Sequence, residues 1–138
     1  MRILMVCLGN ICRSPLAEGI LRHKLHQSKV QASVDSAGTA AYHVGEAPDS
    51  RSVEVAARHG VSLKGQRARA FSVEDFDRFD RIYAMDKANY RHLISMARNQ
   101  ADRDKTDLIL NLSHPGSNRE VPDPYYGGRD GFQKVYDM

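Results

Sequence analysis

Residues 2–15 read RILMVCLGNICRSP, and this stretch decides the fold that the sequence predicts. The apolar run from Ile3 to Cys7 is continuous rather than alternating, which is typical of a strand covered on both faces of a parallel sheet. A loop from Leu8 to Arg13 follows, and Ser14 and Pro15 are suited to cap and open an α-helix. In open α/β sheets, ligands bind beyond the carboxyl ends of the strands, so we expect the functional site at this loop.

The rest of the chain continues the alternation of strands and helices. Further strands are predicted at residues 30–36, 81–84 and 107–112, and further helices at 49–60, at 87–98 and after the glycine pair at 127–128. In the helix that begins at Asp49, we expect Val53, Ala56 and Ala57 to face the core. The pattern predicts an α/β fold with a single domain, an open four-stranded parallel sheet and helices on both faces.

The loop after the first strand contains the residue types that bind and attack a phosphate group. Backbone N–H groups before a helix can turn inward and form a nest for an anion. Gly9 and Asn10 tolerate the positive φ that such a nest needs. Arg13 can clamp two phosphate oxygens, and the same positive environment favours the thiolate form of Cys7. Ser14 is placed to hydrogen-bond that thiolate, so the loop predicts a cysteine nucleophile in an oxyanion cradle rather than a cysteine that merely packs.

Composition excludes several other classes of protein. The chain has 138 residues, 41% hydrophobic and 27% charged, as expected for one globular domain. No apolar run approaches the roughly 20 residues that cross a bilayer, and the N-terminal run is too short for a signal peptide. Cys7 and Cys12 are the only cysteines, which predicts a reducing compartment and a cytoplasmic protein. No histidine or cysteine set has the spacing of a zinc site, so we expect no metal.

The charge of the chain suits an anionic substrate. The net charge is +3 and the sequence pI is about 9.0. The densest basic stretch, Lys64 to Arg69, has no interleaved aromatic residues. It therefore predicts a solvated loop rather than a nucleic-acid surface, and we expect neither a nucleic-acid nor a membrane partner.

Residues 7–15 resemble the phosphate-binding loop of the low-molecular-weight protein tyrosine phosphatases. Residues 123–128, DPYYGG, resemble the acid loop of that family. Similar stretches occur in the family's order at 35–39, 48–51 and 84–86. The likeness covers essentially the whole chain and implies hydrolysis of phosphotyrosine on proteins through a cysteinyl-phosphate intermediate, without a metal or cofactor.

The resemblance implies a role for each matching residue. Cys7 resembles the nucleophile, Arg13 the phosphate clamp, and Asp123 the general acid that later acts as a base. The remaining residues form the phosphate-binding loop, hold it in shape or form the walls around the substrate ring: Leu8, Gly9, Asn10, Ile11, Cys12 and Ser14 in the loop, Ser36 paired with Asn10, and Tyr42, Tyr125 and Tyr126 in the walls. The implied partners are a phosphotyrosine protein such as a tyrosine kinase, with inorganic phosphate or similar oxyanions as inhibitors.

Three other functions stay open at the level of sequence. One version of the arsenate reductases on the same fold needs further cysteines as a thiol relay, and none follows Cys12. Phosphoarginine phosphatases resemble this family closely but tend to carry Thr and Phe where this chain has Ile11 and Tyr125. A phosphopeptide-binding module has no use for a nucleophile and an acid.

Two further expectations concern Cys12 and the end of the chain. Cys12 lies in the same tight loop as Cys7, which predicts a reversible Cys7–Cys12 disulfide under peroxide. The final predicted helix carries Phe132, Val135 and Tyr136 and stops at Met138 within an apolar pattern. Because the family's final helix usually runs further, we expect this helix to be truncated in the domain of residues 1–138.

Overall fold

Four parallel strands and five helices alternate along the part of the chain that the structure describes. The computed structural model describes residues 1–10, 13–28, 32–40, 44–63, 65–111, 116–118 and 120–121. The strands are β1 (Arg2–Cys7), β2 (Ser33–Gly38), β3 (Arg81–Ala84) and β4 (Thr106–Leu108). The helices are α1 (Arg13–Ser28), α2 (Ser50–Arg58), α3 (Asp75–Arg78), α4 (Lys87–Met96) and α5 (Gln100–Lys105), and a 3₁₀ turn, Ile109–Asn111, follows β4.

The sheet has the strand order β2-β1-β3-β4, and every pairing is parallel. The register places Cys7 beside Gly38 and Val6 beside Ala84. The carboxyl ends of β1, β2 and β3 therefore meet at one edge of the sheet, where the loop after β1 begins. The predicted α/β fold with a four-stranded parallel sheet is confirmed.

Both faces of the sheet are buried, which explains the unbroken apolar run of β1. Met5 and Cys7 pack on one face with Leu16 of α1 and Ala56 of α2. The alternate residues of β1, Leu4 and Val6, pack on the other face in a cluster that includes residues of α3 and α4. Because successive side chains of a strand point to opposite faces, a strand covered on both sides needs apolar residues at every position.

The rotation of α2 differs from the prediction. Val55 and Ala56 are the buried apolar residues of this helix, whereas Val53 is 39% exposed and Ala57 is also exposed. The helix begins after Asp49, as predicted, and the carboxylate of Asp49 accepts a hydrogen bond from the backbone N–H of Arg51 at 2.9 Å. Ala56 is buried as expected. The buried stripe is Ser52, Val55 and Ala56, which has the same helical spacing as the expected stripe at 53, 56 and 57 but includes a polar residue.

Several element boundaries also differ from the sequence-based expectations. β2 runs on to Gly38, two residues beyond its predicted end, and its predicted start at residues 30–31 lies outside the described residues. The strand predicted at residues 107–112 is observed as β4, which ends at Leu108 and is followed by the 3₁₀ turn. The short helices α3 and α5 were not predicted, because four and six mostly polar residues carry no helical apolar period. The predicted final helix lies outside the described residues.

Candidate active site

Cys7 is the last residue of β1, and its thiol group is almost completely buried, with 2% of the residue exposed. Among the residues that the structure describes, two donate to its sulfur or lie within hydrogen-bond distance of it. The backbone N–H of Asn10 donates to Sγ at 3.2 Å, and the hydroxyl oxygen of Ser14 lies 2.9 Å from Sγ. Both contacts come from the loop and from the first turn of α1, so the sulfur is set at the base of the loop.

The hydroxyl of Ser14 is oriented by Asn10. The side-chain amide of Asn10 donates from Nδ2 to Ser14 Oγ at 2.8 Å. Since that oxygen accepts from Asn10, its own hydrogen is available for the sulfur of Cys7. Hydrogen bonds to sulfur favour its charged form, so this arrangement stabilises a thiolate. α1 begins at Arg13, and Ser14 is therefore the second helical residue, not the helix cap that the sequence predicted.

Asn10 is the left-handed residue in the described part of the loop, with φ of 58°, whereas the expectation of a positive φ at Gly9 is not met. This conformation turns the N–H of Asn10 towards the sulfur, and its side-chain carbonyl accepts from the backbone N–H of Arg69 at 3.0 Å. The side chain of Asn10 is thus bound at both ends. Ser36, expected as its partner, instead donates to the carboxylate of Glu18 at 2.6 Å.

Arg13 is also buried, with 2% of its side chain exposed, and its guanidinium is anchored through Nη1. Its Nη1 donates to the carboxylate of Asp86 at 2.5 Å and to the backbone carbonyl of Val121 at 2.9 Å. Asp86 itself caps α4, because its other carboxylate oxygen accepts from the N–H of Asn89 at 2.8 Å. The cap fixes Asp86, and Asp86 in turn fixes the plane of the guanidinium.

The loop packs directly on the end of β2. The N–H groups of Thr39 and Ala40 donate to the carbonyls of Cys7 and Leu8 at 2.9 and 3.0 Å. A Cβ atom on Gly38 would lie 2.8 Å from the carbonyl oxygen of Leu8, which is closer than real contacts allow. A glycine is therefore required here for the loop backbone to approach the sheet.

The arrangement can bind and attack a tetrahedral anion. A buried sulfur receives two hydrogen bonds, a buried guanidinium lies six residues along the loop, and the loop leads directly into a helix N-terminus, which favours anions. Residues 2–138 match the family model described as low molecular weight phosphotyrosine protein phosphatase. The chain belongs to this family.

Individual members of the phosphatase family are similar along nearly their whole length. A low molecular weight phosphotyrosine protein phosphatase of Schizosaccharomyces pombe is 44% identical over 138 residues, covering 98% of this chain and 87% of the relative. The crystal structure of a protein tyrosine phosphatase of Entamoeba histolytica with Hepes in its active site has a TM-score of 0.92 and 39% identity, covering 99% and 88% of the two chains. The crystal structure of a Drosophila arginine phosphatase has a TM-score of 0.91 and 35% identity, with the same coverage.

The structure brings three of the predicted site residues of this phosphatase into one hydrogen-bonded group, Cys7, Asn10 and Ser14. Arg13 precedes Ser14 at the start of α1 and is bound to Asp86 and to the carbonyl of Val121, whereas Ser36 joins Glu18 on α1. Six of the predicted residues lie outside the described residues: Ile11, Cys12, Tyr42, Asp123, Tyr125 and Tyr126.

Sequence analysis missed the supporting role of three residues of the phosphatase. Asp86 had been noted only within a family-like stretch, Gly38 likewise, and Arg69 as part of a solvated loop. Two sequence signals could have pointed to Gly38 and Asp86: a glycine at the end of β2, and a helix-capping aspartate two residues after β3. Across the described ranges, no helix combines the length and the apolar character needed to cross a bilayer.

Proposed function

We propose that phosphotyrosine hydrolysis proceeds in two steps that share Cys7. In the first step the thiolate attacks phosphorus, the bond from phosphorus to the tyrosyl oxygen breaks, and Asp123 gives its proton to that oxygen. In the second step Asp123 takes a proton from water as the water attacks phosphorus. The bond between sulfur and phosphorus then breaks, which releases inorganic phosphate and restores the thiolate.

The orientation of Ser14 is the observation that carries this proposal. A hydroxyl that accepts from Asn10 and faces the sulfur of Cys7 stabilises negative charge there. The charge is present before the attack and returns when the bond to phosphorus breaks, so the same hydrogen bond serves both steps. A site that only bound phosphate would gain nothing from a hydroxyl directed at sulfur.

Arg13 supplies the positive charge for the transferred group. Its Nη1 is held by Asp86 and by the carbonyl of Val121, which presets the guanidinium for a planar, two-point contact with phosphate oxygens. We propose that inorganic phosphate and similar oxyanions inhibit by occupying this place.

Asp123 is proposed as the acid on its resemblance to the family's acid loop, and two other aspartates, Asp86 and Asp49, are engaged elsewhere. Asp86 accepts from Arg13 and caps α4, and Asp49 caps α2 and accepts from the guanidinium of Arg51 at 3.0 Å. The carboxyl groups of both residues are therefore already engaged and are not available to protonate a leaving phenol. The resemblance to the family's acid loop supports Asp123.

The proposed substrate is a phosphotyrosine protein, for example a tyrosine kinase, in the cytoplasm, with Tyr42, Tyr125 and Tyr126 against its ring. Phosphoarginine is the second candidate, because the arginine phosphatase of Drosophila has a similar structure. Ile11 and Tyr125 favour phosphotyrosine, since phosphoarginine phosphatases tend to carry Thr and Phe at these positions.

Rates on matched phosphotyrosine, phosphoserine and phosphoarginine peptides test the substrate. We expect phosphotyrosine to be hydrolysed fastest by the wild-type chain and Ile11→Thr to gain activity on phosphoarginine. A wild-type chain that prefers phosphoarginine, or an Ile11→Thr variant with an unchanged preference, would contradict the proposed role of these side chains.

We also propose that peroxide joins Cys7 and Cys12 in a disulfide. Peroxide first oxidises the Cys7 thiolate to a sulfenic acid, and the Cys12 thiol then displaces water from it to form the disulfide. A thiol reductant reverses this bond but not the higher oxidation states. Recovery of activity after peroxide and then thiol should therefore be lower for Cys12→Ser than for the wild type, and equal recovery would contradict the disulfide.

A further inference from the structure

A short segment distant in sequence is bound to the loop and to the sheet at once. We call residues 66–71 the strap. The backbone carbonyl of Arg69 accepts from the N–H of Gly38 at 2.8 Å, and the N–H of Phe71 donates to the carbonyl of Gly38 at 2.7 Å. The N–H of Arg69 donates to the side-chain carbonyl of Asn10 at 3.0 Å. The strap is therefore the neighbour that orients the side chain of Asn10.

The side chain of Arg69 anchors the strap to two carboxylates. Its guanidinium donates to both oxygens of Asp75, at 3.0 and 3.2 Å, and to Asp35 of β2 at 3.2 Å. Asp75 is fully buried and also accepts from the N–H of Ser72 at 2.9 Å. A buried carboxylate is strongly destabilising without a partner, so Asp75 holds the guanidinium firmly.

The pKa of Arg69 is consistent with its contacts to the two carboxylates. Burial alone would lower the pKa of Arg69, but the hydrogen bonds and charge of Asp75, followed by those of Asp35, outweigh it. The pKa of Arg69 is therefore raised above its ordinary value. The basic stretch that sequence analysis assigned to a solvated loop thus contains an anchored arginine, and its neighbours Gln66 and Ala68 are buried.

We infer that Arg69 and Asp75 are positioning residues for the Cys7 nucleophile, acting through Asn10 and Ser14. An amide side chain has one acceptor end and one donor end. Because the N–H of Arg69 requires the carbonyl end of Asn10, the donor end must face Ser14. Ser14 Oγ then accepts from Asn10, and the hydroxyl hydrogen is left for the sulfur.

This inference rests on the proposed roles of Cys7 and Ser14 and adds the origin of their geometry. If the strap shifts, the amide of Asn10 can rotate, and the hydroxyl of Ser14 is no longer directed at sulfur. The thiolate would be less stable, and the phosphoenzyme would release it more slowly. Binding of the phosphate group by Arg13 involves none of these contacts and should persist.

Variants of Arg69 and Asp75 test the inference, with Arg98 as a matched control. Arg98 also donates to two aspartates, Asp77 and the buried Asp102, but it follows the end of α4 that is opposite to the cap at Asp86. Arg69→Ala and Asp75→Asn should lower kcat by about tenfold, as expected for a misdirected hydrogen bond to a charged group. Inhibition by inorganic phosphate should change less than about twofold, and Arg98→Ala should leave both quantities unchanged.

The rate of Cys7 alkylation separates an effect on positioning from an effect on stability. Iodoacetate reacts with the thiolate, so its rate follows the ionisation of Cys7. At a fixed pH, Cys7 should be alkylated about tenfold more slowly in Arg69→Ala than in the wild type, as expected for loss of a directed hydrogen bond to sulfur. Arg69→Lys keeps the charge beside Asp75 and should fold normally. Its rate of alkylation should lie between those of the wild type and Arg69→Ala.

A double-mutant cycle with Ser14→Ala gives the sharpest test. If Arg69 acts through Ser14, Arg69→Lys should have little further effect on kcat once the hydroxyl is gone. Equal effects of Arg69→Lys with and without Ser14, or variants of Arg69 that behave like Arg98→Ala, would overturn the inference. A wild-type chain that forms no phosphocysteine would instead contradict the proposed function itself, so the two failures are distinguishable.

Discussion

Two arginine–aspartate pairs stabilise the phosphate-binding loop, and they differ in which member is buried. In the pair of Arg13 and Asp86, the arginine side chain is 2% exposed and the aspartate 19%. In the pair of Arg69 and Asp75, the arginine is 32% exposed and the aspartate 0%. We propose that the first pair keeps a buried cation ready for an anionic substrate, whereas the second uses a buried anion to anchor a segment of backbone. Similar ion pairs can thus serve binding or positioning, according to which charge is buried.

The same substitution at the two arginines should give the largest contrast. Arg13→Lys removes the planar two-point contact with phosphate, and kcat/KM should fall by about 10²- to 10³-fold, as for loss of a preorganised donor to the transition state. Inhibition by inorganic phosphate should weaken in parallel, unlike in Arg69→Lys. Steady-state kinetics with phosphate as inhibitor measure both effects, and an unchanged inhibition constant in Arg13→Lys would remove Arg13 from the phosphate site.

Asp123 can be distinguished from both pairs by its dependence on the leaving group. Asp123→Asn cannot protonate the departing oxygen, so the rate of phosphoenzyme formation should fall by about 10²-fold for a poor leaving group. The loss should be much smaller for a nitrophenol. Arg69→Lys should show no such trend. A series of aryl phosphates measures the dependence, and an equal loss for every leaving group would make Asp123 a structural residue of its turn.

The two aspartates offer a smaller and more local contrast. Asp86→Asn keeps the shape of the side chain but removes its charge beside Arg13, so KM should rise and kcat/KM should fall by about tenfold. Asp75→Asn should instead lower kcat with KM nearly unchanged. A changed KM in Asp75→Asn, or an unchanged KM in Asp86→Asn, would contradict the assignment of the Asp86 pair to binding and of the Asp75 pair to positioning.

Glu18 provides a buried carboxylate whose predicted effect is on stability. Burial raises the pKa of Glu18, and the hydrogen bond from Ser36 and the charge of Arg22 offset this only in part. A carboxyl with a raised pKa in the folded state stabilises the fold fully below its unfolded pKa and less as pH rises through the folded pKa. The free energy of unfolding of Glu18→Gln, taken relative to that of the wild type, should therefore be higher at pH 7 than at pH 4.

Urea unfolding at the two pH values measures this difference. Glu54→Gln serves as the control, since Glu54 is an exposed carboxylate of α2 that pairs with Arg58. We expect no pH-dependent difference for the control. If the free energies of unfolding of wild type and Glu18→Gln differed by the same amount at both pH values, the pKa of Glu18 would not be raised.

The parts of the site that were predicted from sequence are those built from neighbouring residues. β1, the loop and the first turn of α1 are continuous in the chain, so the apolar run, the cysteine, the arginine and the serine could be interpreted together. The spacing also led to the contact between Ser14 and Cys7, which the structure shows at 2.9 Å. β3 was predicted at its observed bounds because its short apolar segment lies between polar residues.

The supporting contacts could not be predicted, because they join residues far apart in the chain. Asp86 meets Arg13 across 73 positions, and the N–H of Arg69 meets Asn10 across 59. Every residue except proline has a backbone N–H, so the sequence of the strap does not indicate that the N–H of Arg69 binds Asn10. The rotation of α2 was wrong for a different reason: the buried stripe includes the polar Ser52, so a choice based on apolar residues alone selected the neighbouring stripe, in which only Ala56 is buried.

The central claim is that Cys7 carries the phosphate between two chemical steps. Rapid acid quenching of the wild-type chain with an aryl phosphate, followed by mass spectrometry of the peptide around Cys7, tests it most directly. The account predicts a burst of phenol equal to the amount of enzyme and phosphate bound to the sulfur of Cys7. It also predicts that Cys7→Ser loses turnover while inorganic phosphate still binds. Turnover of Cys7→Ser near the wild-type rate, or a wild-type reaction without burst and without phosphocysteine, would contradict it.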